Sequence, residues 1–127
     1  MPRLTFKKKE RLSSRKAIEE LYARGKSFQS GNLKIIFLIQ KETSLYPCQV
    51  VFSAPKKLFK RAVDRNLIKR RMREGYRANK PEFYAQLNGK KTVLHALVLY
   101  TNKEILSFTE IAENMGRALT DLVKKCG

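Results

Sequence analysis

The chain has no tryptophan, a single histidine and only two cysteines among its 127 residues. Cys48 and Cys126 stand far apart with no C-x-x-C spacing, so neither a zinc site nor a redox dithiol is written in the sequence. Both are expected to be reduced structural thiols. His95 lies in an apolar run without an Asp, Ser or Cys partner nearby in sequence, which gives nucleophilic catalysis no support and makes a core or edge histidine the expectation. No carboxylate cluster suits a two-metal nuclease centre. There is no run of ~18 apolar residues to span a membrane, and the basic start "MPRLTFKKKERLSSRK" has no apolar core of the secretory type. A cytoplasmic protein with no membrane attachment is therefore expected. Acidic residues are scarce as well: 11 Asp and Glu face 28 Lys and Arg, a formal net charge of +17. A domain this basic repels itself unless a polyanion neutralises it, and nucleic acid is the commonest such partner.

With 43% hydrophobic residues, the chain has enough apolar material for one core and one domain, 1–127. Its first twelve residues form a basic arm. A helix is expected after Ser13 or Ser14, carrying Ala17, Ile18, Leu21 and Tyr22 on one stripe and ending at Gly25. "LKIIFLIQ" (33–40) and "YPCQVVFSA" (46–54) read as two strands of a hairpin joined by the polar turn "KETS", with Pro47 at a strand start. A basic helix follows Lys56, broken near Asn79-Lys80-Pro81, after which "EFYAQL" adds one turn. Asn88-Gly89 signals a turn into a strand over 92–100. The capping pair Ser107 and Glu110 opens a last helix with Ile111, Met115, Ala118 or Leu119, and Leu122 as its stripe. The order is that of an α+β domain.

The densest charge is in "DRNLIKRRMREGYR" (64–77), six cations and two acids. On a helix, Asn66, Lys69, Arg70, Arg73 and Arg77 share an arc of roughly 100° that contains no acid. Ile68, Met72, Gly75 and Tyr76 form the opposite, packing stripe. The column Arg65–Lys69–Arg73–Arg77 repeats like charge at i+4, which costs a free helix on the order of 1 kcal/mol. A solvated helix face normally interleaves Glu with Lys, so an anionic partner explains the arc better. The planar guanidinium fork suits phosphate. Lys56 and Lys57 extend this face or sit in a solvated loop. Tyr22 and Phe37 offer rings for base stacking or for the core, and composition favours the core.

"SAPKK" (53–57) leading into "RNLIKRRMREGYR" (65–77), with "RL" (11–12), Tyr22 and Gly25 upstream, resembles the protein subunit of bacterial ribonuclease P along nearly the whole chain. The resemblance implies a two-layer α/β sandwich: a four-stranded sheet with a left-handed βαβ crossover through the basic helix, flanked by N- and C-terminal helices. It implies an endoribonuclease holoenzyme in which the RNA subunit, with bound magnesium, removes the 5′ leader of precursor tRNA. The protein would bind that RNA and guide the leader between the first helix and the sheet, needing no protein partner. Carried onto this chain, Lys56, Lys57, Arg65, Asn66, Lys69, Arg70, Arg73 and Arg77 would face RNA, and Ile18, Tyr22 and Phe37 would line the leader cleft, with no catalytic or metal-binding residue. The chain departs from the family pattern at Leu67, where a third arginine is usual, and at Ile18 and Tyr22, where two phenylalanines are usual. It also carries an extra residue between Lys57 and Arg65. The alternatives left open are a non-enzymatic ribosomal or tRNA-binding protein and a DNA-binding module.

Overall fold

The computed structural model describes residues 10–40, 47–89 and 93–126. The basic arm up to Lys9 and the turn at 41–44 lie outside the described residues. The elements are α1 (Arg15–Arg24), β1 (Lys26–Ser30), β2 (Leu33–Gln40), β3 (Cys48–Ser53), α2 (Ala62–Gly89), β4 (Val93–Tyr100) and α3 (Phe108–Cys126). The strands form one mixed sheet in the order β1-β2-β4-β3, three helices completing an α+β fold.

Strand pairing corrects the expected hairpin. β2 pairs antiparallel with β1, which the sequence reading did not identify, and with β4. β3 pairs parallel with β4, so α2 is the crossover between adjacent strands. "KSFQS" of β1 holds one apolar residue, Phe28, and leaves most of its length exposed at the sheet edge, so its periodicity is faint. Its partner is set by the tight Gly31-Asn32 turn. Gly31 has φ +57° there, and a Cβ would lie 2.6 Å from Oδ1 of Asn114. The buried Asn114 amide closes the turn, donating to Ser30 O at 2.8 Å and accepting from Asn32 N at 2.7 Å.

Side-chain alternation divides the apolar residues between two faces. Leu33, Ile35 and Phe37 of β2, Val50 and Phe52 of β3, and Leu94, Ala96 and Val98 of β4 pack under α2 and α3. Ile36 and Leu97 pack with Leu12 and Leu21 under α1, flanked by Leu38, Val51 and Leu99. Ser14 caps α1 by accepting from Ala17 N, and Gly25 ends the helix in extended backbone, its N–H donating to Leu21 O. At Gly25 a Cβ would fall 2.4 Å from that same carbonyl.

α2 runs unbroken through Pro81, against the expected break, and Asn88-Gly89 are its last residues. Pro81 removes one ladder donor at a cost of ~3 kcal/mol. Phe83 and Leu87 beyond it are buried beside Ile68, Met72 and Tyr76, each burial contributing roughly 1.5–3 kcal/mol. Packing outweighs the local penalty. Asn79 supports this stretch, its Nδ2 donating to Gly75 O at 2.8 Å and to Ala112 O at 3.2 Å on α3. Gly75 itself admits α3: a Cβ there would meet the Ala112 Cα at 3.0 Å. In α3 the expected stripe Ile111, Met115, Ala118, Leu119 and Leu122 is buried, and Ser107 Oγ accepts from Glu110 N.

Lys80 sits within the buried stripe of α2, only 7% exposed. Glu10, the lone acid of the N-terminal segment, reaches it at 3.1 Å and also accepts from the Tyr84 hydroxyl. A charge left unpaired there would cost several kcal/mol. The end of the expected arm is thus fixed: Leu12 is buried and its N–H donates to Val50 O at 2.9 Å. No described helix is long and apolar enough to cross a membrane.

Candidate nucleic-acid interface

The cationic residues of α2 divide into three groups by what they touch. Arg65 spends its guanidinium on the preceding loop, Nη1 donating to Phe59 O at 2.8 Å and Lys60 O at 2.9 Å. That bond ties the helix start to the turn carrying Lys56 and Lys57, both exposed, which is closed by Leu58 and Phe59 N–H groups donating to Pro55 O. Arg77 is paired with Glu74 one turn back. The arc therefore has an acid at its margin, because the i, i+3 spacing lets Glu74 lean into it. Arg71, outside the arc, donates to Leu106 O at 2.6 Å and holds the loop before α3. Lys69, Arg70 and Arg73 remain. Among the described residues none of these three has a carboxylate partner. Asn66, Arg70 and Arg73 are exposed and Lys69 is half-buried. The open part of the ridge is thus narrower than expected, with Arg65 and Arg77 anchoring its ends.

Beside this ridge a groove of about 150 Å³ opens at the outer edge of β3. It is lined by Arg11, Leu12 and Ser13, by Val50, Val51 and Phe52 of β3, and by Lys69 and Arg73 of α2. Arg11 is not among the residues expected to face RNA. Its position depends on the bridge between Arg11 and Val50, distant in sequence, and its only local sign was the "RL" pair.

On the α1 face, Tyr22 is 62% exposed and Ile18 is half-buried against the sheet. Phe37 is not with them. It is 3% exposed beneath α2 and α3, its ring edge-on to Phe28 at 6.0 Å. Odd-numbered residues of β2 point away from α1, so a cleft under α1 is floored by Ile36 and Leu38 instead. His95 lies half-buried on the α1 face, opposite Leu38 and Gln49. Burial lowers its pKa below 6.5, with the Glu20 charge opposing. The α1 acids are satisfied locally, Glu19 by Arg15 at 3.4 Å and Glu20 by Arg24 at 3.3 Å.

The remaining perturbed groups are structural. Cys48 is buried at the start of β3, and desolvation pushes its thiol up to about 12. Tyr84 is raised by burial and then by its bond to Glu10. Cys126 is a free, partly exposed thiol. No three His, Cys, Asp or Glu side chains come together as metal ligands among the described residues.

Comparison with known proteins bears on the family and the fold. A family model described as ribonuclease P matches residues 6–123. A ribonuclease P protein component of Porphyromonas gingivalis is 30% identical over 112 residues, covering 88% of this chain and 82% of the relative. One from Chlorobium phaeobacteroides is 27% identical, covering 93% and 88%. Among solved structures, the Staphylococcus aureus RNase P protein superposes with a TM-score of 0.69 at 20% identity, covering 89% of this chain and 94% of that one. The Thermotoga maritima RNase P protein gives 0.69 at 22%, covering 87% and 96%. With a family match over most of its length and the same fold under divergent sequence, the chain belongs to the ribonuclease P protein family.

Proposed function

We propose that this chain is the protein subunit of a ribonuclease P holoenzyme, binding the catalytic RNA and the 5′ leader of precursor tRNA in the cytoplasm. The observation that carries the reading is the group Lys69, Arg70 and Arg73, which displays positive charge on one helix with no carboxylate partner among the described residues. Such charges displace counterions from RNA, a gain that falls with salt by about 0.7–0.9 log units per phosphate engaged. Arg65 serves by position: it holds the Lys56–Lys57 turn against the start of α2, so loop and helix present one cationic surface. Tyr22, exposed on α1, is the ring best placed to meet a single-stranded leader; Ile18 lies at the base of that face. Phe37 has no part in it.

Leader hydrolysis itself is assigned to the RNA. Magnesium, which would polarise the scissile phosphate and stabilise the leaving oxygen, is proposed as an ion held by RNA, since the protein's described side chains assemble no ligand set. The protein's contribution is to offset repulsion between two polyanions, the ribozyme and its substrate, so that the complex forms at lower magnesium.

Reconstitution tests this directly. Mixed with a bacterial ribonuclease P RNA at low magnesium, the protein should stimulate 5′ leader removal from precursor tRNA. RNA binding without stimulation would favour a ribosomal or general tRNA-binding role, and tight duplex-DNA binding without stimulation would favour a DNA-binding module.

A further inference from the structure

We propose that the groove at the outer edge of β3 seats one nucleotide of a bound RNA strand. Its base would lie against the β3 edge beside Leu12 and the half-buried Val51, and its phosphate between Arg11, Lys69 and Arg73; the inference rests on the RNA-binding function proposed above. The lining combines two chemistries that solvent alone does not satisfy together. Its floor is apolar, while its rim carries three cations and no acid. A hydrated inorganic anion would satisfy the rim and leave the floor wet. A nucleotide satisfies both, with its charge and its flat ring on adjoining parts of one molecule. At about 150 Å³ the groove is smaller than the ~300–1,000 Å³ of typical small-ligand pockets, which fits a single unstacked base.

The segment carrying Arg11 is built rather than incidental. Glu10 is fully buried against Lys80 and Tyr84 on α2, and Leu12 is bonded to the β3 edge. Arg11, between these two anchors, is therefore held beside Val50 in the same groove as Lys69 and Arg73. Those two stand one helical turn apart on a buried-stripe helix, so their place in the groove is set by the core.

The test titrates the isotope-labelled full chain with AMP, with ribose 5-phosphate and with hexaglutamate, following backbone amide resonances. AMP should shift Leu12, Ser13, Val51 and Phe52 saturably, at concentrations about fivefold below those ribose 5-phosphate needs. Equal responses to the two phosphates would reduce the groove to an anion patch and overturn the proposal. A response to hexaglutamate equal to that to AMP would overturn it in favour of an acidic peptide, and no shift in the groove would overturn it outright. In parallel, Ser13→Trp, which fills the groove from an exposed loop, should weaken binding to a bacterial ribonuclease P RNA about tenfold at unchanged melting temperature. Undiminished affinity in that variant sinks the nucleotide seat while leaving the holoenzyme role intact. Failure of the wild-type chain to bind the RNA sinks the holoenzyme role, and the AMP titration then still decides the groove. If Ser13→Trp does not fold, the same titration decides.

Discussion

At the scale of single residues, what a side chain already touches determines what it has left to offer. Arg73 is exposed and has no carboxylate partner among the described residues. Arg73→Ala should leave stability within ~0.5 kcal/mol and reduce the log–log salt slope of RNA binding by about one; filter binding across a salt series measures it, and an unchanged slope would exclude a phosphate contact. Arg77→Ala should flatten the slope less, because Glu74 already holds that guanidinium. Tyr22 and Phe37 separate in the same manner. Tyr22→Ala should fold normally and lose affinity for precursor tRNA more than for mature tRNA. Phe37→Ala should cost ~3–5 kcal/mol of stability and affect both RNAs alike, as urea melts and paired binding titrations would show. From sequence, both aromatics were candidates for base stacking; the direction of one strand's odd-numbered side chains decided between them.

At the scale of elements, the two long helices illustrate how packing overrides local preference. A glycine inside a helix costs about 1 kcal/mol relative to alanine, so Gly75→Ala would stabilise a solvent-facing helix. Here the added methyl would meet the Ala112 backbone at 3.0 Å, and backbone yields poorly. The expected outcome is a net loss of about 1–3 kcal/mol, read as a lower urea midpoint. Pro81 gives the complementary case: the residue that ends helices in isolation is carried through one, because the apolar stripe continues beyond it to Phe83 and Leu87. The stripe of α3 was legible from spacing alone, as was that of α1 up to Leu21, whereas Tyr22 at its end turns out to solvent; the termini capped by Ser14 and Ser107 were legible too. Strand partners were not. β1 has one apolar residue, and the pattern of β3 describes a two-faced strand without naming what lies beside it.

At the scale of the whole molecule, charge and protonation act together. Burial raises the pKa of Cys48 to about 12 from 9.0, and burial also raises Tyr84 and Tyr76. The unfolded chain loses these protons first, so the folded state binds more protons above pH 9 and rising pH favours unfolding. This stabilisation is complete below pH 9 and is lost progressively towards pH 12. Urea midpoints measured from pH 8 to 11 should therefore fall, and fall less steeply in Cys48→Ala; parallel curves would show that Cys48 is not a source of the slope. What the sequence by itself determined is the composition of each surface: a net charge of +17 and a basic helix with one apolar stripe. What only the tertiary structure decided is which groups remain available. It placed Glu10 on Lys80, turned Arg65 and Arg71 onto backbone carbonyls, sent Phe37 into the core and brought Arg11 into one groove with Lys69 and Arg73. The physical reason is that periodicity records which side of an element is apolar, whereas the partner covering that side comes from distant chain segments competing for the same core.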